Sequence, residues 1–298
     1  MVNARRGALP VPTLALNSLG LPDTSPPPNF LVQFSLDPEQ EARAIARRIA
    51  ADGLAHGIAL LPDSTWGQSV REAFVSELAA IGSVTLTSAQ YYGLGEQDYA
   101  APLRAALGRF GGAGIRSSDP KKPVPLRNAE AERAAGPQFA FIAATPQNAR
   151  AIRPQLRFQM TYDLPIYATS DAWDPSVRTV ADLDGLVFPE MPWILHSGQG
   201  APELWDAMQQ EWSATARGRV RLYAFGFDAY RLALQLRGNA SFIGVSGLTG
   251  TLTVGHDGRV QRSLEFARVE GGTPRPAMVS APSMFLPEPA VNAPGTTP

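Results

Sequence analysis

Residues 182–193 read DLDGLVFPEMPW and residues 165–173 read PIYATSDAW, and these two stretches decide the fold. In each, a short apolar strand runs straight into a loop marked by small polar residues or proline. Loops of that form lie at the C-terminal ends of strands in an open α/β sheet, the edge at which such sheets bind ligands. The same arrangement stands just upstream, where the apolar run 139–143 precedes residues 146–158, a helix with Pro154 as its expected kink.

The alternation continues outward from there. Asp37 is a helix cap, Pro38 suits the first helical position and Gln40 stands where a capping box needs its partner. Ala42, Ile45, Ala46, Ile49 and Ala50 follow at helical spacing until Gly53. Residues 57–61 form a strand and 62–67 a polar loop; Val70, Ala73, Phe74, Leu78 and Ile81 mark one face of a helix that Gly82 ends. Residues 84–86 are the next strand, and Tyr99, Leu103, Leu107 and Phe110 mark another helix. Short strands at 11–16 and 30–34 flank a loop rich in Pro, Ser and Asn at 17–29. Continuous apolar strands alternating with amphipathic helices imply a parallel sheet covered on both faces.

Beyond residue 193 the character changes. Leu204, Met208 and Trp212 sit four apart on one helix, and Leu222, Phe225, Ala229, Leu232, Ala233 and Leu236 mark a longer one. Residues 249–254 and 260–269 read as a β-hairpin around His256, Asp257 and Gly258. Residues 111–136, with Lys121, Lys122, Arg127 and Arg133 among Pro, Ser and Gly, read as a solvated loop. The proline-rich stretch 273–298 reads as a disordered tail.

Hydrophobic residues make up 44% of the 298, enough for a substantial core in one large domain or two lobes. Lys and Arg number 26 against 27 Asp and Glu, so a net charge of −1 gives no global pull toward nucleic acid or acidic membranes. The absence of cysteine excludes disulfides, thiolate nucleophiles and cysteine-ligated metals. No run approaches the ~18 apolar residues of a membrane-spanning helix. The N-terminal MVNARRGALPVPTLALNSLG has two arginines but no long apolar segment, and does not read as a signal peptide.

Familiar catalytic motifs are missing. Ser197 in HSGQG and Ser246 in GVSGL do not fit a nucleophile elbow. Residues 108–112, GRFGG, do not fit a dinucleotide loop, and neither a P-loop nor HExxH is present. His56, His196 and His256 are scattered near turns and read as surface side chains, so no zinc site is expected. Asp63, Asp171, Glu190 and Asp228 lie in or near loops that the fold would bring to a cleft. Two carboxyls about 5–9.5 Å apart would serve glycoside hydrolysis. Asp is, however, a preferred cap and turn residue, and a turn role for Asp171 and a capping role for Asp63 account for them more simply.

Ligand binding is the better-motivated chemistry. The strand ends carry Asn17 and Ser18; Asp63, Ser64, Thr65 and Trp66; Thr145; and Thr169, Ser170 and Asp171, with Glu190 after the next strand. These are small polar groups with an aromatic available for stacking. They equally suit loops that pack one lobe against another. No cofactor is implied. Trp173 and Trp193 fall in loops, where they serve either a partner contact or packing over a lobe edge. Trp212 reads as core.

Residues 143–157, AATPQNARAIRPQLR, taken with 165–173 and 182–193, resemble the LppC family of outer-membrane lipoproteins. The order of elements is similar to a type I periplasmic-binding-protein fold up to about residue 272. The resemblance implies an α/β fold of two Rossmann-like lobes with parallel sheets. Residues 1–36 and 190–240 would form lobe 1, and 37–189 with 241–272 lobe 2 and a crossover hairpin, ahead of the 273–298 tail. Family members carry further βα units before the segment matching VPTLALN. Lobe 1 is therefore expected to be truncated in its N-terminal half, exposing apolar surface on the helices near 204–212 and 222–236. The resemblance also implies a non-enzymatic regulator on the periplasmic side of the outer membrane. It would dock onto a bifunctional penicillin-binding protein and stimulate peptidoglycan synthesis, tethered by a lipid anchor that this sequence lacks. The alternative is a periplasmic domain that binds or senses an amino acid, sugar or cell-wall fragment in the interlobe cleft.

Overall fold

The computed structural model describes residues 11–18, 31–110, 134–176, 181–213, 218–237 and 244–278. The chain opens with β1 (Thr13–Ala15) and β2 (Leu31–Gln33), paired in parallel. A βα alternation follows: α1 (Pro38–Ala51), β3 (His56–Pro62), α2 (Thr65–Ile81), β4 (Thr85–Tyr92), α3 (Ala100–Leu107), β5 (Phe139–Ile142), α4 (Pro146–Gln159), β6 (Ile166–Ala168) and β7 (Leu186–Glu190). These five strands run parallel in the order β4-β3-β5-β6-β7. Among the described residues, three helices come next: α5 (Pro192–Leu195), α6 (Pro202–Glu211) and α7 (Val220–Arg237). A small antiparallel sheet is made by β8 (Val245–Ser246), β9 (Thr251–Val254) and β10 (Val260–Ser263). Finally β11 (Glu265–Glu270) and β12 (Thr273–Pro276) rejoin the main sheet, antiparallel beyond β7.

The main sheet forms because its strands are apolar on both faces. Ile58, Leu60, Ile142 and Phe188 pack toward Leu103, Ile152 and Leu156 of α3 and α4. Their neighbours Ala59, Leu61, Phe141 and Val187 pack toward Ile45, Ile49, Val70 and Phe74 of α1 and α2. That is the period-two alternation of a sheet covered by helices on either side. Asp37 caps α1 by accepting from the Glu39 amide, with Pro38 in the first turn. Ser64 caps α2, and Gly82, at φ 75°, closes it in the left-handed conformation that glycine adopts without strain.

A smaller body sits beside this lobe. Phe225, Ala229 and Leu232 of α7 pack on Val32 and Phe34 and on Leu252 and Val260 of the β9–β10 hairpin. Trp193, Met208, Val220, Ala224 and Leu248 form a second cluster among α5, α6 and α7. The Gln33 amide donates to the Gly258 carbonyl, which sets β2 beside the hairpin.

Three expectations are corrected. The hairpin expected over 249–254 and 260–269 divides. Thr251 opposite Ser263 is the last pair of its ladder, and from Glu265 the chain pairs with the open edge of β7. Strand 84–86 extends to eight residues as β4, which ends the strand order and is flanked on one side only, so its residues need not be apolar. The tail expected from residue 273 begins with β12, whose Pro274 and Pro276 are tolerated because an edge strand needs no outward N–H. Residues 279–298 and most of the basic loop at 111–136 lie outside the described residues.

Candidate functional site

The loops after β3, β5 and β6 open on one side of the main sheet, where α7 of the smaller body meets them. Trp66, Thr145, Pro146, Asp171, Trp173 and Arg221 line a cavity of about 530 Å³ there. Arg221, in the first turn of α7, spans the junction. Its Nε and Nη2 donate to Oε1 and Oε2 of Glu190 at 3.1 and 2.6 Å, and its Nη1 donates to the Trp173 carbonyl at 3.2 Å. Glu190 is 2% exposed, so this forked, charge-assisted pair works largely out of water. Burial alone would depress the Arg221 guanidinium, but the Glu190 carboxylate outweighs it and holds the group above its ordinary value.

A second connection lies beneath. Glu41 of α1 accepts from the Ser170 amide and the Ser170 hydroxyl, both at 2.8 Å. Burial pushes its carboxyl up to about 7; Arg262 pulls it down and Asp171 pushes it further up. Arg262 of β10 is itself buried, and burial lowers its guanidinium while Glu41 acts the other way. Its Nε and Nη2 have no hydrogen-bond partner among the described residues. Next to them Gln40 donates to the Val260 carbonyl at 3.0 Å and accepts from the Arg262 amide at 3.4 Å. Gln40 therefore ties α1 to the hairpin rather than completing a capping box.

The residues chosen from the sequence divide between these settings. Trp66, Thr145 and Asp171 line the cavity, and Asp171 is exposed there. The protein around its carboxyl raises its pKa, against the lowering pull of Arg221. Thr145 caps α4 and Ser64 caps α2, accepting from the Asn148 and Gly67 amides at 3.3 and 3.1 Å. Asp63 is not the cap; it is exposed, and its amide donates to the Tyr92 carbonyl. Thr65 is exposed in the first turn of α2. Asn17 and Ser18 are exposed beyond β1, where the Asn17 side chain accepts from the Ser18 amide, and neither lines the cavity. Thr169 and Ser170, expected with Asp171 at the mouth of the cleft, are buried: Ser170 is bonded to Glu41, and Thr169 is fully enclosed after β6.

Glu190 is bound to Arg221, and Asp228 is buried, accepting from the Leu248 and Thr249 amides and the Thr249 hydroxyl. No cluster able to hold a metal ion occurs among the described residues. His196 pairs with Glu265 at 2.7 Å, and His56 meets the Gly136 carbonyl at 2.9 Å. Trp173 and Trp193 are buried, which fits packing, of the two roles open to them in the sequence, rather than a partner contact. Trp173 stacks on Phe188, and Trp193 stands edge-on to Trp205. Arg221, Glu41 and Arg262, which build the junction, were not among the residues chosen. Each sits in a regular helix or strand with no motif around it.

A family model described as "LppC putative lipoprotein" matches residues 2–272. The penicillin-binding protein activator LpoA of Klebsiella pneumoniae subsp. pneumoniae is 29% identical over 288 residues, covering 90% of this chain and 38% of that protein. LpoA of Edwardsiella piscicida is 30% identical over 268 residues, covering 80% and 36%. The chain thus spans little more than a third of the length of these curated relatives. Among solved structures it is similar to the LpoA (YraM) C-domain from Haemophilus influenzae, named as a regulator of PBP1A. That match has TM-score 0.65 and 22% identity, over 90% of this chain and 74% of that one. It is also similar to the leucine-binding protein LivK of Thermotoga maritima, with TM-score 0.53 and 14% identity, over 85% and 68%. At these identities the likeness is one of fold, the α/β architecture of periplasmic binding proteins.

Proposed function

The chain belongs to the LppC family, and from that premise we propose that it is a non-enzymatic docking regulator. It binds a bifunctional penicillin-binding protein on the periplasmic side of the outer membrane and raises peptidoglycan synthesis. The relatives bear the name of activators, and the Arg221 clamp is the observation that carries the reading. A receptor that closes on a small molecule keeps its interlobe polar groups free for that molecule. Here the guanidinium that spans the junction is committed to Glu190 and to the Trp173 carbonyl. Ser170 is committed to Glu41, and the caps Ser64 and Thr145 to their own helices. Two bodies joined this way form a platform with a fixed outer surface.

Such a platform activates by binding an active conformation of its partner more tightly than an inactive one. The test is reconstitution. The purified chain is added to a bifunctional penicillin-binding protein with lipid-linked peptidoglycan precursor, and glycan polymerisation and cross-linking are followed. A saturable rise in either rate is expected. Rates that do not change at any concentration of the chain would overturn the reading.

A further inference from the structure

Among the described residues, the joint between the two bodies encloses more acid than base. The large lobe brings Glu41 and Glu190, both buried, with Asp171 beside them, and the smaller body brings buried Asp228. Against these stand the guanidinium groups of Arg221 and Arg262. With every group ionised the cluster has surplus negative charge, and a surplus held away from water favours keeping a proton. The hydrogen bonds show where that proton rests. Glu190 takes the fork of Arg221, and Asp228 takes two amides and a hydroxyl. Glu41 is bonded to Ser170, a neutral donor, and to neither arginine. A proton fits there without rearrangement. Oε2 keeps the Ser170 amide, and a protonated Oε1 donates to the Ser170 hydroxyl, which can give or take a bond. Hydrogen bonding across this part of the joint is sparse. Gln40 reaches β10 through bonds of 3.0 and 3.4 Å, while Nε and Nη2 of Arg262 have no partner among the described residues.

We propose that Glu41 makes this joint proton-sensitive: with a proton on its carboxyl the smaller body stays closed on α1, and loss of the proton lets the β9–β10 hairpin part from it. The reason is burial. In the closed joint the carboxylate is enclosed; in the parted joint it meets water, which stabilises the ionised form. Arg262 opposes parting by attracting the carboxylate across the joint. Burial outweighs that pull and raises the enclosed carboxyl from 4.5 to about 7. Closure therefore takes up a proton between those values, so acid closes the joint and pH above 7 loosens it. The groups facing Glu41 are Ser170 and Asp171 from the loop after β6, Arg262 from β10 and Arg221 from α7. Asp37, Glu190 and Asp228 act on it through Arg262. The device lies within one chain and does not depend on the docking function proposed above.

Amide exchange on the full chain tests this between pH 5 and pH 8.5, each rate being divided by the intrinsic rate at that pH. The reporters are the Ser170 amide and the amides of β9 and β10. Their protection should lie below that of β3, β5 and β6 and should fall with rising pH by up to about a hundredfold. Glu41→Gln keeps an oxygen for the Ser170 amide and should make the profile flat. Arg262→Met removes the pull across the joint, so the fall should move to higher pH. Reporters as well protected as β3, β5 and β6 would overturn the proposal, because the joint then opens only with the whole fold. Protection that stays constant with pH in the native chain would overturn it as well. A fall of the same size in Glu41→Gln would place the proton on another group. An Arg262→Met profile that matches the native one would show that the two bodies do not meet at Glu41, and this comparison decides the matter even if Glu41→Gln does not fold.

Discussion

Glu41 is a fully enclosed carboxyl with two donors from Ser170 and a buried arginine nearby, and burial outweighs all of them. Its pKa rises from 4.5 in the open chain to about 7 in the fold. The folded state therefore takes up a proton first as pH falls, and stability grows as pH drops from about 7 toward 4.5. Above that window the ionised form burdens the fold; below it both states are protonated and the dependence ends. The groups facing Glu41 are Ser170 and Asp171 from the loop after β6, Arg262 from β10 and Arg221 from α7. Urea titrations between pH 8 and pH 4.5 should show the native chain gaining up to about 3 kcal/mol relative to Glu41→Gln. Parallel pH profiles would contradict this assignment. Asp171 offers the contrasting case. It is exposed at the cavity, so Asp171→Ala should change stability by no more than about 0.5 kcal/mol. A heat of binding for a free amino acid that Asp171→Ala removes would restore the small-ligand reading. The difference between Asp171 and its neighbours Thr169 and Ser170 was not legible in the sequence. One polar loop reads the same throughout; Glu41, on a distant helix, holds the Ser170 hydroxyl inward, and the Thr169 hydroxyl is buried with no hydrogen-bond partner among the described residues.

Elements were legible where local chemistry sets them. Asp37 and Pro38 start α1 as expected, Gly82 ends α2, and the stripes at 42, 45, 46 and 49 and at 70, 73, 74 and 78 are buried. Elements were misread where a tertiary neighbour sets them. β4 is polar because it is flanked on one side, β11 leaves its hairpin because β7 has an open edge, and β12 keeps its prolines because it lies at the margin. Strand preference of this kind is a property of the site more than of the residues. Gly67 shows how tightly the helices sit on the sheet. Any Cβ there would collide with the carbonyl oxygen of Pro62, where β3 turns into α2. Gly67→Ala should therefore destabilise by about 1–3 kcal/mol, the usual range for overpacking, despite alanine's better helix propensity. A urea midpoint equal to or above that of the native chain would show that the turn yields at no cost.

The molecule as a whole is two bodies of unequal construction. The larger holds a seven-stranded sheet packed on both faces, and the smaller holds two- and three-stranded pieces under α7. Short strands with few neighbours open at lower free energy than a central sheet, so the two should differ in amide exchange. β3, β5 and β6 should be the last to exchange, and β8, β9 and β10 should exchange earlier. The Arg221 clamp decides how far the smaller body opens alone. Arg221→Met leaves Glu190 buried without its partner, which should cost about 3 kcal/mol. Because the clamp joins the bodies rather than building either one, the loss should fall unevenly. Exchange in the first turns of α7 and in the β8–β10 sheet should accelerate strongly at native pH. β3, β5 and β6 should keep their rates until the loss approaches the global stability. Glu190→Gln combined with Arg221→Met should recover part of the loss, since no unpaired charge then remains inside. If exchange accelerates by the same factor in every strand, the two bodies unfold as one cooperative unit, and Arg221 is an ordinary core contact instead of a joint.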